Sequence, residues 1–312
     1  MTQTIRTLLV EDNDLDAQFL TALLERSTEL TFEVDRATSV RAAVVVLHNG
    51  EFDIMLVDLG LPDNSGLELI PRLRAASPST PIVMLTGDDN PETALQAIET
   101  GAQDYLPKQH IVGQLLTRVV CHSIARQKQL LKAQSEALTE PLTGIGNRRA
   151  MDLELERRLA DFRRHSSPFC VSIFDIDFFK RVNDQLGHDA GDRVLRSAAR
   201  ALAESTRETD RVARYGGEEF AVLLPMTELA DACTVVESLR CRLGEAAGRA
   251  DERLESVTAS AGVTEVQAGD DSLSVFRRAD EALYAAKGNG RDRSFAHDGT
   301  NLVECERRQL TP

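Results

Sequence analysis

Short apolar runs alternate with amphipathic stretches over the first part of the chain. This alternation of predicted strands and helices favours a parallel sheet with helices on both faces. Several runs are apolar at consecutive positions, which fits strands that are covered on both sides. We therefore expect residues 1–122 to form a doubly wound α/β domain. The predicted strands are Ile5–Val10, Phe32–Asp35, Ile54–Asp58, Ile82–Leu85 and Asp104–Leu106, and the predicted helices include Ala17–Leu24, Val40–Leu47, Leu67–Leu73 and Thr93–Ile98.

A long helical pattern follows this domain. Residues 110–139 hold no proline and a single glycine, and apolar side chains recur there at helical spacing. Three of them, Ile124, Leu131 and Leu138, stand seven residues apart. The positions between them are largely polar, so a coiled coil and a plain linker helix are equal alternatives for a helical stalk at residues 123–140.

A second domain begins at Pro141, which ends the helical pattern. Its predicted elements contain a β-α-β-β-α-β core, the ferredoxin-like or palm-type α+β arrangement, with an antiparallel sheet and helices on one face. We assign residues 141–298 to this domain and expect the polar residues 299–312 to form a loose tail. The predicted helices are 147–164, 190–204, 228–247 and 272–287, and the predicted strands are 169–176, 210–215, 218–224 and 256–265.

Length and composition agree with this division and narrow the range of partners. A chain of 312 residues accommodates two domains of roughly 150 residues each. The 36 Lys and Arg against 50 Asp and Glu give a net charge of −14, which disfavours nucleic-acid binding because nucleic-acid backbones are anionic. The sequence shows no apolar run typical of a membrane span, no secretory signal, and five scattered cysteines without a C-x-x-C pair. We therefore expect a cytoplasmic protein with reduced thiols and no membrane contact.

Polar residues stand at the carboxyl ends of the predicted parallel strands, the edge at which such sheets bind ligands. Glu11 and Asp12 follow the first strand, Asp58 ends the third, and Thr86 and Lys108 belong to the fourth and fifth. Three converging carboxylates repel one another, and Mg²⁺ with its preference for oxygen ligands relieves that repulsion. Asp58 can then accept a phosphoryl group whose oxygens contact Thr86 and Lys108. Each residue alone is more often a helix cap or loop charge, so the prediction depends on the whole set.

The segments that carry these residues resemble the receiver domain of bacterial response regulators, a flavodoxin-like fold. The matching motifs within residues 5–122 are LLVEDND, MLVDLGLPDNSGLELI, VMLTGDD and DYLPK. The resemblance implies that a histidine kinase phosphorylates Asp58 and that Tyr105 reorients together with Thr86. Gln109 departs from the pattern, because many receivers have a proline after the lysine.

A second acidic site is predicted in the second domain. Asp175 and Asp177 close the strand FCVSIFDID, and the alternation of strand side chains places both on one face. The segment RVARYGGEEFAVLLP contains two apolar strands, and the Gly-Gly pair at 216–217 predicts a two-residue hairpin turn between them. That turn delivers Glu218 and Glu219 beside the end of the Asp175 strand. Carboxylates from adjacent strands favour Mg²⁺ and phosphoryl or nucleotidyl transfer.

Three cations of the same domain can balance the charge of a bound triphosphate. They are Lys180, Lys287 and Arg291. A Gly-Gly turn and an acidic strand end are each common without any ligand. The interpretation therefore depends on the motifs that accompany them.

Those motifs together resemble the GGDEF domain of diguanylate cyclases over residues 140–296. They are the signature YGGEEF at 215–220, with FDIDFFKRVND, GHDAGD, ADEALYAAKGNGR and PLTGIGNRR. The resemblance implies an enzyme that condenses two GTP into cyclic di-GMP (c-di-GMP) and two pyrophosphates. Because one domain holds one GTP, it also implies a homodimer or higher oligomer.

The resemblance implies a metal site and a pair of catalytic groups. The implied Mg²⁺ ligands are Asp175, the Ile176 backbone, Glu218 and Glu219. Glu218 also matches the proton acceptor of the family, and Lys180 matches the group that stabilises developing charge.

The resemblance likewise implies a GTP-binding set. Asn183 and Asp192 match the residues that read guanine, which suits an amide and a carboxylate because guanine offers two donors and an acceptor. The other implied GTP contacts are Phe178, Phe179, His188, Gly216, Gly217, Lys287 and Arg291.

Two further features concern regulation. The family begins its domain with a D-x-L-T segment, and here Glu140 stands in place of the aspartate, so we expect altered coupling to the stalk and intact catalysis. Arg207 and Asp210 form an R-x-x-D pattern upstream of the Gly-Gly pair, which resembles the site where c-di-GMP inhibits its own synthesis. An exposed ion pair is the structural alternative.

Three other functions compete with a response-regulator diguanylate cyclase. A degenerate GGDEF domain would bind nucleotide and signal by contact. The residues that argue against it are the intact Asp175, Lys180, Glu218 and Asp192. A DNA-binding response regulator conflicts with the charge of −14. A cyclase that also accepts ATP is disfavoured by the pair Asn183 and Asp192.

Overall fold

The computed structural model describes residues 4–27, 30–87, 90–254 and 256–305, and the chain divides into two compact units, Met1–Gln134 and Ser135–Pro312. In the first unit a helix connects each of the five long strands to the next one along the chain. The elements are β1 (Thr4–Val10), α1 (Asp14–Glu25), β2 (Thr31–Ala37), α2 (Val40–Asn49), β3 (Ile54–Asp58), β4 (Gly60–Leu61), β5 (Asn64–Ser65), α3 (Leu69–Ala76), β6 (Ile82–Thr86), α4 (Pro91–Thr100), β7 (Asp104–Pro107) and α5 (Gly113–Leu138).

The five long strands of this unit form one parallel sheet in the order β2-β1-β3-β6-β7. Strands β3 and β6 are buried at every position, as expected for strands covered on both faces. Side chains of α2 and α3 pack on one face, around Met55, whereas α1 and α5 pack on the other, around Leu56. The predicted doubly wound, flavodoxin-like architecture is therefore confirmed.

The predicted long helix is present as α5. Its first half packs on the sheet through Leu116, Val120, Ser123 and Gln127, which are all buried. From residue 128 to 137 every position is exposed, and the boundary between the two units falls within this stretch. The assignment of residues 123–140 as a separate stalk remains a prediction.

The second unit is built on a seven-stranded mixed sheet in the order β14-β13-β12-β9-β11-β10-β8. Its central four strands, β12-β9-β11-β10, pair antiparallel throughout. The elements are β8 (Gly146–Asn147), α6 (Arg148–His165), β9 (Phe169–Ile176), α7 (Phe179–Leu186), α8 (His188–Ser205), β10 (Arg211–Arg214), β11 (Glu219–Pro225), α9 (Leu229–Gly248), β12 (Ala259–Glu265), α10 (Ser272–Gly288), β13 (Ser294–His297) and β14 (Leu302–Glu304).

Alternate residues of β9 face two different hydrophobic cores. Phe174 and Ile176 pack against α8 and α9, the two helices of the ferredoxin-like core. Val171 and Ile173 pack against α6 and α10 on the opposite face. The two helices of the core lie on one face, as expected, and α6 and α10, which stand outside the β-α-β-β-α-β core, cover the second face.

Helix α10 approaches strand β12 so closely that only glycine fits beneath it. A Cβ on Gly262 would lie 2.1 Å from the Ala279 carbonyl oxygen and 2.2 Å from the Leu283 amide nitrogen. This contact fixes the direction of α10. Its last turn carries Lys287, so the contact also fixes one cation of the acidic site.

Two local predictions were wrong. Arg214 is paired with Phe220, and the Tyr215 N–H donates to the Glu219 carbonyl at 2.8 Å, so the hairpin loop spans residues 216–218 and is longer than a two-residue turn. In the predicted loose tail, β14 pairs with β13 and Cys305 is buried, whereas residues 306–312 lie outside the described residues.

Within the residues that are described, no helix is long and apolar enough to cross a membrane.

Candidate functional site

The carboxyl edge of the parallel sheet gathers three acidic side chains. Carboxylate oxygens of Glu11, Asp12 and Asp58 lie within 4.8 Å of one another. They line an open cavity of about 680 Å³ together with Thr86 and Lys108. All five residues that the sequence predicted for this site are therefore brought together, and oxygen-only carboxylate donors of this kind fit a hard divalent cation.

Lys108 neutralises part of this acidic group. Its Nζ lies 2.6 Å from Glu11 Oε2, 2.9 Å from Asp58 Oδ1 and 2.7 Å from Asp16 Oδ2. Burial lowers the pKa of Lys108, but hydrogen bonds to the three carboxylates outweigh it and hold that pKa above its ordinary value. Burial raises the pKa of Glu11, and the charge of Asp58 adds to the rise. Asp16, an acidic residue in the first turn of α1, was not predicted as part of this group.

Thr86 and Tyr105 lie on neighbouring strands of the same sheet. Thr86 ends β6, is buried and borders the cavity. Tyr105 is the register partner of Met84 on β6, and its half-buried side chain packs against the core on the α2 and α3 side. The coupled movement of these two side chains stays a prediction.

The second acidic site lies where β9 meets β11. Asp175 is the register partner of Glu219, and the Ile176 N–H donates to the Glu218 carbonyl at 3.4 Å. Lys287 reaches this site from α10, with its Nζ 2.7 Å from Asp175 Oδ2. The sheet register therefore sets the three predicted acidic residues side by side and adds one of the predicted cations.

Mutual repulsion and burial perturb these acids in the same direction. Burial raises the pKa of Asp175 above its ordinary value, against the opposing hydrogen bond from Lys287. Burial also raises the pKa of Glu218 and of Glu219, and the negative charge of Asp175 raises both further. Within the described ranges these carboxylates do not form a group within 4.8 Å, unlike those at Glu11. One buried and two half-buried carboxylates that repel one another fit a divalent cation.

Helices α7 and α8 carry the residues predicted to read guanine. Gly191 lies in the first turns of α8, and a Cβ there would come within 2.0 Å of Asn183 Oδ1. The Asn183 carboxamide therefore packs directly on the backbone beside Asp192. Asp192 pairs weakly with Arg196, at 3.8 Å, and His188 is exposed at the start of α8. Gly191 was not predicted as part of this site, although it belongs to the quoted segment GHDAGD.

Two phenylalanines and one lysine follow Asp177, the first residue after β9. Phe178 has a left-handed backbone, with φ of 58°, and its ring is 48% exposed. Guanidinium groups of Arg181 and Arg291 lie 4.3 Å and 4.7 Å from the centre of that ring. Phe179 is buried in the core, so only its backbone can contact a ligand, and Lys180 is exposed.

Comparison with known families assigns both units. A family model described as diguanylate cyclase, GGDEF domain, matches residues 137–293. The chain belongs to this family. A second model, the response regulator receiver domain, matches residues 7–120.

Two curated relatives match 92% and 51% of the chain. The chain is 33% identical to the response regulator PleD of Caulobacter vibrioides over 302 residues, which cover 92% of this chain and 64% of PleD. It is 43% identical to the diguanylate cyclase DgcP of Pseudomonas aeruginosa over 160 residues, 51% of this chain and 24% of DgcP. The chain thus spans less than two thirds of the length of either relative.

One solved structure resembles the second unit. The coiled coil and GGDEF domain of DgcB from Caulobacter crescentus, solved in complex with c-di-GMP, aligns with 59% of this chain and 98% of that one. The TM-score is 0.56 and the sequence identity is 33%. This likeness supports the ferredoxin-like core and its additional helices as a GGDEF domain.

The R-x-x-D pattern of the GGDEF domain lies at the far end of β10 from the signature loop. The Arg207 N–H donates to Asp210 Oδ2 at 2.9 Å, and Asp210 is buried, whereas Arg207 is exposed. Asp210 therefore caps the turn between α8 and β10. The guanidinium of Arg242 on α9 contacts Ser205 Oγ at 3.3 Å and brings a second cation to this end of α8, which the sequence did not reveal.

Proposed function

We propose that this chain is a response-regulator diguanylate cyclase that converts two GTP into c-di-GMP and two pyrophosphates. The observation that carries the proposal is that Asp175 and Glu219 are register partners on adjacent strands, with Lys287 bound to Asp175. An acidic group with an adjoining cation suits a triphosphate and its counter-ions. GTP is a cytoplasmic nucleotide, so the proposal places the reaction in the cytoplasm.

The acidic residues would hold Mg²⁺ through the carboxylates of Asp175, Glu218 and Glu219 and the Ile176 carbonyl. When bound, Mg²⁺ supplies positive charge to the phosphate oxygens and the departing pyrophosphate. Lys287 and Arg291 bind the same phosphates from α10 and the loop after it.

Proton transfer falls to a group of this chain. The 3′-hydroxyl of one GTP attacks the α-phosphorus of the other, and Glu218 accepts the proton that this hydroxyl loses. Lys180 stabilises the negative charge that develops on the phosphoryl oxygens.

The base is selected by Asn183 and Asp192. The carboxylate accepts hydrogen bonds from the guanine N1–H and N2–H, and the carboxamide N–H donates to O6. Adenine offers no donor at N1, so the carboxylate would be left without a partner. This supports GTP over ATP as the substrate, with His188 and the Gly216-Gly217 backbone completing the contacts.

Activity requires two catalytic domains, because each binds one GTP and each condensation joins two. We therefore propose a homodimer or higher oligomer as the active species. Phosphorylation of Asp58 by a histidine kinase would add charge that Lys108 and Thr86 contact, with Mg²⁺ held by Glu11, Asp12 and Asp58. Helix α5 begins in the receiver and ends two residues before Glu140, so it provides a continuous path for the signal.

A direct assay tests the proposal. Purified protein is incubated with GTP and Mg²⁺, with and without beryllofluoride, and the products are separated by chromatography. We expect c-di-GMP and pyrophosphate in a ratio of one to two, faster with beryllofluoride, and no cyclic dinucleotide from ATP. Tight GTP binding without any turnover would instead support the degenerate, nucleotide-binding alternative.

A further inference from the structure

Asp177 is a buried carboxylate to which the proposed reaction gives no role. It follows the last residue of β9, and its side chain has no exposed surface. Its Oδ1 accepts a hydrogen bond from Ser260 Oγ at 2.8 Å. Its Oδ2 accepts from Thr258 Oγ1 at 2.7 Å and from the Asp292 N–H at 3.1 Å. Both oxygens are thus engaged by protein donors.

A buried carboxylate needs a nearby positive charge as well as hydrogen bonds. The cation that faces Asp177 is Arg291, whose Nε lies 4.0 Å from Oδ1. Lys287 is bound to Asp175, so the two acids of the strand end have separate partners. Asp177 therefore contributes one negative charge directed at Arg291.

The backbone at Arg291 is also held by Asp177. Arg291 and Asp292 both have left-handed conformations, with φ of 63° and 50°, which L-residues adopt at a cost in conformational energy. The Asp292 N–H donates to Asp177, and the Asp292 carboxylate binds Arg240. These contacts stabilise two adjacent strained residues and so fix the backbone position from which the Arg291 side chain extends.

The other end of Arg291 is held by an aromatic ring. Its guanidinium stacks on Phe178, the residue directly after Asp177, at 4.7 Å. The Arg291 side chain is 39% exposed, so it remains open to a ligand. Asp177 and Phe178 together hold this guanidinium in one place from two sides.

We propose that Asp177 is a positioning residue that holds Arg291 in place to bind the phosphates of GTP, and that it is not a ligand of the catalytic Mg²⁺. This inference rests on the proposed function. A residue with this role changes substrate binding through Arg291 alone. A metal ligand would instead change the dependence of the rate on Mg²⁺.

The test compares Asp177→Asn with Asp184→Asn, an exposed aspartate of α7, as the matched control. Asparagine keeps the shape and removes the charge. We expect the KM for GTP of the 177 variant to rise about tenfold while kcat falls less than about threefold, because the lost contact stabilises bound substrate and transition state alike. The Mg²⁺ concentration for half-maximal rate stays that of the wild type, and the control is unchanged.

A double-mutant cycle with Arg291→Gln identifies the route of the effect. If Asp177 acts through Arg291, the double variant has the KM of Arg291→Gln alone. Additive effects, or a shifted Mg²⁺ dependence, would overturn the proposal. If thermal unfolding shows that Asp177→Asn does not fold, Thr258→Val is used instead, because it removes one hydrogen-bond donor to Asp177. We expect this variant to raise the KM for GTP by a smaller factor and to be non-additive with Arg291→Gln in the same way. An unchanged KM for Thr258→Val would also overturn the proposal.

The outcome for wild-type protein separates the two proposals. Wild-type protein that neither binds nor converts GTP would overturn the proposed function and this inference with it. Wild-type activity with an unchanged KM for Asp177→Asn would overturn only the role of Asp177.

Discussion

Glu140 and Arg214 form a salt bridge of 3.0 Å between Oε1 and Nη1, although they stand 74 residues apart in the chain. The second oxygen of Glu140 accepts hydrogen bonds from the N–H and hydroxyl of Thr143. The same Arg214 donates from Nε and Nη2 to the Gly217 carbonyl, at 3.1 Å and 2.7 Å. The residue that replaces the aspartate of the family's D-x-L-T segment is therefore joined through one arginine to the signature loop.

This link leads to the first prediction, for Glu140→Gln. The variant should lose about 1–2 kcal/mol of unfolding free energy, because both side chains are only 17% exposed. Its kcat should fall severalfold, because Arg214 loses the partner that orients it toward Gly217. Urea unfolding and initial rates are measured beside Glu204→Gln, an exposed glutamate of α8. A variant with the rate of the wild type would show that the link is structural only.

The stability difference should also depend on pH. Hydrogen bonds from Thr143 and the charge of Arg214 outweigh burial and lower the pKa of Glu140 below its ordinary value of 4.5. A lowered pKa stabilises the fold above the unfolded value, and the contribution is lost as the pH falls toward the folded value. The difference in unfolding free energy between the wild type and Glu140→Gln should therefore be largest near neutral pH and should decrease below about pH 4.5. A difference in unfolding free energy that does not change with pH would contradict a stabilising role for the charge of Glu140.

A second prediction concerns the chemical step. Glu218→Gln keeps the size of the side chain and removes both a metal-binding charge and a proton acceptor. We expect kcat to fall by roughly two orders of magnitude or more, with an unchanged melting temperature. Product formation under saturating GTP and Mg²⁺ provides the measurement. A folded variant that makes c-di-GMP near the wild-type rate would exclude Glu218 from the reaction.

A third prediction concerns the receiver. Asp58→Asn removes the proposed phosphoacceptor and leaves Lys108 with Glu11 and Asp16 as partners. Beryllofluoride should raise both cyclase rate and dimer content in the wild type and change neither in this variant. Rates are followed together with mass by light scattering. Equal stimulation of both proteins would place the switch elsewhere, while leaving the enzyme assignment intact.

The sequence predicted that the receiver residues would lie together, because the sheet topology determines their placement. Parallel strands end at one edge, so Glu11, Asp58 and Lys108 must converge once the strand order is known. Helical periodicity and motif spacing likewise located α5 and the Asp175 strand. The sequence did not predict which side chains contact each other when they stand far apart in the chain.

The limits are clearest around Asp177 and the signature loop. The partners of Asp177, which include Thr258 and Asp292, lie 81 and 115 residues away, and no local pattern links them. The Gly-Gly pair is typical of a two-residue turn, but the hydrogen bond from Tyr215 to Glu219 closes a longer loop. Sequence patterns thus predict elements and edges, whereas the register of one hairpin depends on packing of the whole sheet.

The last prediction is product inhibition at Arg207. We propose that c-di-GMP binds near the turn between α8 and β10, where the exposed Arg207 and the guanidinium of Arg242 offer two cations to its two phosphates. Asp210 caps this turn and is buried, so its removal would disturb folding as well as binding. Arg207→Ala is therefore the informative variant. Its initial rate should equal that of the wild type, and the decline in rate as c-di-GMP accumulates should disappear. The control is Arg200→Ala, which replaces an exposed arginine of α8, and its progress curve should bend like that of the wild type. Progress curves that bend alike in all three proteins, together with no c-di-GMP retained by purified wild type, would reduce Arg207 to a surface residue.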